Sequence, residues 1–176
     1  MKSSTVALLI TLALLPLASF AQGEPGRGKH SLGATFELSL PMGDFADRAG
    51  TGYGGNLRYQ YGADSRSVFT ATAGYLVWSK KDRTANRSSQ PSAFNIFLGG
   101  KYYLTEGFYG SLEGGLYFVS WKTEGSNIGV EGSTTRFMLP IGIGFQQSGF
   151  EIGVRYMLLD VDFNEFSFTL GYNFML

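Results

Sequence analysis

The last eleven residues of the chain, Phe166 to Leu176, read FSFTLGYNFML. Apolar and aromatic side chains take every second position from Phe166 onward, and small or polar side chains fill most of the positions between them. A period of two places alternate side chains on opposite faces of a β-strand. The stretch therefore predicts a strand with one oily face and one polar face, and none of its residues is charged.

Seven further stretches alternate in the same way, and the apolar face of each is free of charge. They lie at about 31–42, 52–61, 67–78, 93–104, 108–121, 135–145 and 150–158. Each is close to the ~9–11 residues that a tilted strand needs to cross a bilayer. Strands with one oily and one polar face fit a closed barrel that stands between lipid and a polar interior.

The connections between these stretches are alternately long and short, with polar loops at 43–51, 79–92, 122–134 and 159–165. Transmembrane barrels have short periplasmic turns and longer outer loops. The sequence thus predicts an all-β fold, an eight-stranded antiparallel up-and-down transmembrane β-barrel with both ends in the periplasm. Pro140 lies inside the sixth strand and has no N–H to donate, so we expect a bulge or a local break there.

The N-terminus is typical of an exported protein. A basic start at Lys2, an apolar run from Val6 to Leu17, and small residues at Ser19 and Ala21 predict a signal peptide over 1–21. The apolar run is shorter than the ~20 residues of a membrane anchor. Residues 22–30 are predicted to be a flexible lead-in and residues 31–176 the barrel domain. The chain has no cysteine, so no disulfide framework holds it.

Charge is scarce and balanced, with 14 Lys and Arg against 14 Asp and Glu. The balance argues against nucleic acid as a partner. Charged residues are 16% of the chain, whereas a soluble surface usually carries about 25–35%. A soluble ligand-binding barrel would be apolar inside and charged outside, and the polar faces here hold too little charge for contact with water.

The charges on the polar faces are therefore predicted to line a narrow lumen, where buried acids and bases must pair. They are Glu37, Arg58, Lys101, Glu113, Arg136, Glu151 and Arg155. We expect Glu37 to meet Arg58, and Lys101 to meet Glu113, since each pair lies on adjacent strands at similar depth, while Arg155 could reach across. The alternative interpretation of these charges is an ion path or gate.

The strand pattern, the segment Pro41-Met42-Gly43-Asp44-Phe45 and the C-terminal strand together resemble the small eight-stranded bacterial outer-membrane barrels of the OmpA/OmpX type, the "outer membrane protein beta-barrel domain" families. The resemblance covers the whole mature chain. It implies a bacterial outer-membrane location, lipid and lipopolysaccharide as neighbours, and barrel-insertion machinery that reads the C-terminal strand. Such barrels typically end in an aromatic residue, whereas this chain ends in Leu176, with Phe174 two positions back.

Catalytic and metal sites are poorly supported. His30 is the one histidine and precedes the first strand, so a Ser-His-acid arrangement cannot be built at the outer rim. Asp160, Asp162 and Asn164 have the spacing of a calcium loop, but Glu165 stands where a glycine is expected, which favours an acidic surface hairpin. We predict no enzyme, no metal and no cofactor.

The outer loops remain as candidate binding surfaces. Loop 79–92 carries four bases that could contact lipopolysaccharide phosphates or simply be solvated: Lys80, Lys81, Arg83 and Arg87. The leading hypothesis is a monomeric outer-membrane barrel with a structural or surface-interaction role. The alternatives are a narrow channel for small solutes or ions, and a barrel enzyme acting on outer-leaflet lipid.

Overall fold

The computed structural model describes residues 26–84, 87–125, 130–158 and 164–176; the predicted signal peptide lies outside these ranges. They contain one short helix, α1 (Gly43–Ala46), and nine strands. The strands are β1 (His30–Pro41), β2 (Gly52–Gly62), β3 (Ser67–Trp78), β4 (Lys81–Thr84), β5 (Arg87–Tyr103), β6 (Phe108–Gly125), β7 (Val130–Gln147), β8 (Phe150–Leu158) and β9 (Glu165–Met175). No helix among the described residues is long and apolar enough to cross a membrane.

Eight of these strands form one closed antiparallel barrel. The sheet runs in the order β3-β2-β1-β9-β8-β7-β6-β5, and a pairing between β3 and β5 closes it. Strand β9 pairs with β1 from Ser31↔Met175 to Pro41↔Glu165, so the ends of the domain are sealed together. Closure leaves no free strand edge. The predicted eight-stranded up-and-down barrel is confirmed, and β4 is a short addition that pairs only with β5.

Two of the predicted loops are largely strand. In the hairpin between β5 and β6 the pairing continues from Pro91↔Trp121 to Arg87↔Gly125. Strand β4 pairs with β5, and β6 pairs with β7 as far as Thr123↔Val130, so much of 79–92 and 122–134 is strand. The prediction failed there because ladder hydrogen bonds come from the backbone and continue where the oily face stops. The barrel thus has a turn end, with the short connections after β2, β5 and β7, and a loop end opposite it.

The two faces of the wall differ as predicted. Along β1 the side chains of Ser31, Thr35 and Glu37 are buried inside, whereas those of Leu32 and Phe36 point outward and are 44% and 53% exposed. The same alternation leaves a band of large apolar side chains on the outer surface. A protein that faced water would bury these side chains, so the exterior is suited to hydrocarbon.

Pro140 breaks one ladder without shifting its register. Pairing between β6 and β7 stops after Leu112↔Ile141 and resumes at Gly115↔Met138 in the same register. On the other side Pro140 stays opposite Met157 in β8. The predicted local break is confirmed in the ladder with β6, and the unchanged register means that no extra residue bulges out. The missing N–H of proline accounts for the break.

Candidate functional site

The lumen contains the charged residues that the sequence predicted. Six of the seven have side chains in residues that are at most 4% exposed: Glu37, Arg58, Lys101, Glu113, Glu151 and Arg155. The seventh, Arg136, is half-buried and lies opposite Tyr117 in the ladder between β6 and β7, nearer the loop end. All but Arg136 therefore form one buried layer, which occupies the middle and the turn end of the barrel.

Arg155 holds two of the acids in this layer. Its Nη2 lies 2.6 Å from Oε2 of Glu37, and its Nη1 lies 3.1 Å from Oε2 of Glu113. The three residues come from β8, β1 and β6, so one guanidinium connects separate parts of the wall. Two-pronged contacts of this kind fix orientation as well as adding attraction.

Glu151 holds two of the bases. Its Oε1 lies 2.6 Å from Nη1 of Arg58, and its Oε2 lies 2.8 Å from Nζ of Lys101. A longer contact of 3.9 Å between Arg58 Nε and Glu113 Oε1 joins this group to the one around Arg155. Three acids and three bases thus form one connected network whose formal charges cancel.

The two pairs expected from the sequence are wrong. Glu37 lies opposite Gly54 and Arg58 lies opposite Gly33, so the two are four residues apart along the ladder, or about 13 Å at the usual rise per residue. Lys101 reaches Glu151 and not Glu113. An eight-stranded interior is narrow enough for side chains of different walls to meet, so charges need not pair with ladder neighbours.

Uncharged side chains complete the network and were not singled out from the sequence. Tyr109 donates its hydroxyl hydrogen to Glu151 at 2.6 Å, and Asn56 donates to Glu37 at 2.7 Å. The hydroxyls of Thr70 and Thr72 each lie 3.0 Å from Oε1 of Glu113 and donate to it. Gln60, Gln146 and Asn173 bond further members. Each of these side chains lies on the polar face of its strand, as the charged side chains do. That shared face was the feature by which the sequence could have identified them as members of the network.

The lumen changes character toward the loop end, where it is apolar. The buried side chains there are Leu76, Trp78, Ala93, Phe97, Tyr117, Val119, Met138 and Met157. They lie on the inward faces of their strands, so the prediction of a lumen filled by polar and charged side chains is wrong at this end. A layer of this kind excludes water, and a polar passage through the barrel would have to cross it.

The segment 42–51, which we call the plug, caps this apolar layer. It was predicted as an outer loop, but α1 and the turn that follows it bring Phe45 and Ala49 inward, where they are 1% and 2% exposed. The ring of Phe45 meets that of Trp78 edge to face, with centroids 5.3 Å apart. Met42 N–H donates to the Asn164 carbonyl at 2.8 Å, and Gly50 N–H donates to the Ser79 carbonyl at 3.1 Å. Both ends of the plug are therefore tied to the barrel rim.

Glu165 was predicted to lie in an acidic surface loop, and this is wrong. It is the first residue of β9 and is 1% exposed. Its carboxylate accepts hydrogen bonds from Ser39 Oγ at 2.5 Å and from the Tyr117 hydroxyl at 2.9 Å. Strand β9 begins one residue earlier than expected, at Glu165. Because side chains alternate along a strand and Phe166 faces outward, Glu165 faces the lumen. Asp160 and Asp162 lie outside the described residues.

The four bases of the second loop lie on one hairpin at the loop end. Lys80 is exposed, and the backbones of Lys81 and Arg83 belong to β4 and that of Arg87 to β5. The side chains of these last three are outside the described part of the structure. Contact with lipopolysaccharide stays a prediction.

His30 lies at the turn end, as expected. Its Nδ1 forms a hydrogen bond with the Tyr59 hydroxyl, and its ring packs against those of Tyr59 and Tyr61. Within ranges 26–84, 87–125, 130–158 and 164–176, no three His, Asp or Glu side chains are grouped so as to hold a metal ion.

No protein-family model and no curated protein sequence matches this chain. Among solved structures it is similar to the crystal structure of Ail, the attachment invasion locus protein of Yersinia pestis, with a TM-score of 0.66 at 15% identity over 85% of this chain and 99% of that one. Ail in complex with the heparin analogue sucrose octasulfate gives a TM-score of 0.62 at 16% identity, with the same coverage. This protein has the fold of the small eight-stranded outer-membrane β-barrels, the OmpA/OmpX type.

Proposed function

We propose that this protein is an integral outer-membrane barrel that does not conduct, and that its role is structural or surface-interacting through the hairpins at the loop end. The observation that supports this proposal best is the filled lumen. Ion pairs and hydrogen bonds occupy its middle and turn end, and the apolar layer with the plug occupies its loop end. What the barrel offers to partners is therefore its outer wall and its loop end.

The outer wall supports a membrane location. Leu57, Phe69, Leu98 and Ile143 point outward from four different strands and are 61–65% exposed. Apolar surface of this extent is unfavourable in water and favourable in hydrocarbon, and a closed barrel satisfies its backbone hydrogen bonds internally. Export would use the predicted signal peptide, and insertion would use β9 as the signal for barrel-insertion machinery.

The alternative of a narrow channel has weaker support. A passing ion would have to separate pairs such as Arg58 and Glu151, whose atoms are 2.6 Å apart, and leaving one partner of a buried pair alone is strongly unfavourable. It would also have to displace Phe45 from the loop end. The enzyme alternative lacks a histidine at the loop end, since His30 is at the turn end.

The loop end is the best-supported site of interaction. The hairpin with Lys80, Lys81, Arg83 and Arg87 brings four bases to one side of the rim, and such bases bind phosphate groups by charge-assisted hydrogen bonds. We infer lipopolysaccharide as the partner of this hairpin and lipid as the partner of the wall. No second copy is required for a closed barrel, and we propose a monomer.

Single-channel recording tests the proposal. The full chain is refolded into lipid, its folding is checked by heat-modifiable gel migration, and it is then placed in a planar bilayer. The expected result is a folded, heat-modifiable band with no steady current steps. Large and steady currents would replace this proposal with the channel. In cells, the soluble periplasm is separated from the membranes, and the membranes are then washed with carbonate. The expected result is protein that stays in the washed membranes. Recovery of the protein in the soluble periplasm would contradict the membrane location.

A further inference from the structure

Glu165 differs from the other buried acids in its partners. Glu37, Glu113 and Glu151 each form an ion pair with Arg or Lys. Among the described residues, no cationic group lies within ion-pair distance of Glu165, whose carboxylate is bonded only by the hydroxyls of Ser39 and Tyr117. The buried charged residues of the described lumen are therefore four acids and three bases, and Glu165 is the acid for which the described residues provide no ion-pair partner.

The charged groups around Glu165 do not compensate for it. Glu37 on β1, the strand that pairs with β9, is another buried acid of the same lumen. Arg155 is already engaged with Glu37 and Glu113. The other ionisable groups on the elements around it are Tyr117 on β6, Arg136 on β7, and Asp44, Asp47 and Arg48 of the plug. An ionised Glu165 would be a desolvated charge without an ion-pair partner, which favours the neutral acid.

Glu165 is also connected to the plug through short contacts. Its partner Ser39 Oγ accepts a hydrogen bond from Trp78 Nε1 at 2.9 Å, and the Trp78 ring packs against Phe45. The preceding residue, Asn164, accepts the hydrogen bond that holds Met42 at the start of the plug. A change in the charge of Glu165 therefore acts on both the floor of the plug and one of its ties.

We propose that Glu165 is a proton-binding site that latches the plug, closed when the carboxyl carries a proton and loosened when it releases that proton to water. The ionised carboxylate is stabilised by water, and the nearest entry for water is the loop end, which the plug covers. Ser39 and Tyr117 hold the carboxyl in place in both states: both hydroxyls donate to the ionised carboxylate, and one of them turns to accept the carboxyl hydrogen when Glu165 is protonated. The inference rests on the proposed function, since it concerns the opening of a sealed barrel.

Fluorescence of Trp78 reports the state of the plug directly. The chain has two tryptophans, so a Trp121→Phe background leaves Trp78 as the single reporter. The full chain, refolded in detergent micelles, is titrated from roughly pH 5 to 9, a range that includes the values reached by buried glutamates. The expected result is a red shift of Trp78 emission as the pH rises. Glu165→Gln should keep the low-pH emission throughout, and the exposed control Glu106→Gln should shift like the parent.

A second variant keeps the test decisive if Glu165→Gln fails to fold. Glu37→Gln removes a negative charge from the lumen and leaves Arg155 with one acid fewer, so ionisation of Glu165 becomes less unfavourable and the red shift should move to lower pH. Flat emission in the parent, or an unchanged midpoint in Glu37→Gln, would overturn the latch, as would a normal titration of Glu165→Gln. Failure of the proposed function has a different signature, which is steady current through the parent protein at every pH or loss of the heat-modifiable band.

Discussion

Arg155 and Glu37 form an ion pair of 2.6 Å between Nη2 and Oε2, although strand β9 separates β8 from β1. The two residues are 118 positions apart in the chain. This pair shows how the lumen is organised: side chains cross the interior to find their partners, and the contacts connect strands that share no ladder. The barrel is thus stabilised by its closed wall and by a network inside it.

The network predicts which pairs of residues are energetically coupled. In a double-mutant cycle with Lys101→Met and Glu151→Gln, we expect a coupling of about 0.5–3 kcal/mol, because the two groups are 2.8 Å apart and buried. The cycle of Lys101→Met with Glu113→Gln is the control, since these two form no ion pair, and should show a smaller coupling. Urea unfolding in micelles measures both. A larger coupling for Lys101 with Glu113 would contradict the observed pairing.

The outward face predicts where a charge blocks insertion. Leu98 is 65% exposed on the outer wall, so Leu98→Arg should lower the yield of folded protein in lipid, with a cost of about 2–4 kcal/mol if it lies near mid-depth. Leu98→Phe keeps the position apolar and should fold like the parent. Heat-modifiable migration gives the folded fraction. Equal yields for the two variants would mean that this face does not meet hydrocarbon.

The plug predicts a site where one side chain controls both stability and sealing. Phe45→Ala removes a ring that is 1% exposed and should lower the free energy of unfolding by about 3–5 kcal/mol. It should also allow brief current steps in a planar bilayer. Met42→Ala, at the exposed start of the plug, is the matched control. If Phe45→Ala changes neither quantity, the plug does not seal the loop end.

The basic hairpin should matter for binding and little for folding. Replacing Lys80, Lys81, Arg83 and Arg87 together with Ser should reduce retention of lipopolysaccharide during purification. We expect these charges to face water, where each contributes about 0–1 kcal/mol to stability and is screened by salt, so the unfolding curve should stay nearly unchanged. Lost stability with full retention of lipopolysaccharide would reverse this assignment.

Asp64, in the turn between β2 and β3, predicts a pH effect outside the membrane-spanning strands. The backbone N–H groups of Arg66 and Ser67 each donate to its Oδ1 at 2.7 Å, and these bonds hold the pKa of Asp64 below the ordinary 3.8. A depressed carboxyl pKa contributes stability above the unfolded-state pKa, and that contribution is lost as the pH falls through the folded-state value. An NMR titration should give a midpoint below 3.8, and a midpoint above it would contradict the turn geometry.

Much of the architecture was readable from local pattern. Alternation along segments such as Phe166–Leu176 reports which side chains share a face, and the absence of charge on one face reports the solvent that it meets. Both are properties of a single strand. The sequence was therefore enough to predict eight strands, which face of each strand points outward, and that Glu151 and Arg155 lie in the lumen.

Partners depended on tertiary structure. Ladder register and closure put Arg155 beside Glu37 and Lys101 beside Glu151, and no single strand carries that information. Phe45 lies in a segment without a periodic pattern, so the sequence could not predict that it would be buried. Its burial depends on the shape of the opening that it fills at the loop end of the barrel. Glu165 was the last residue of a predicted polar loop and was expected to be exposed; the observed start of β9 places its side chain on the inner face. The sequence by itself determined what each strand faces, because solvent preference is local; the closed barrel alone decided which side chains meet, because contact across a lumen depends on all eight strands at once.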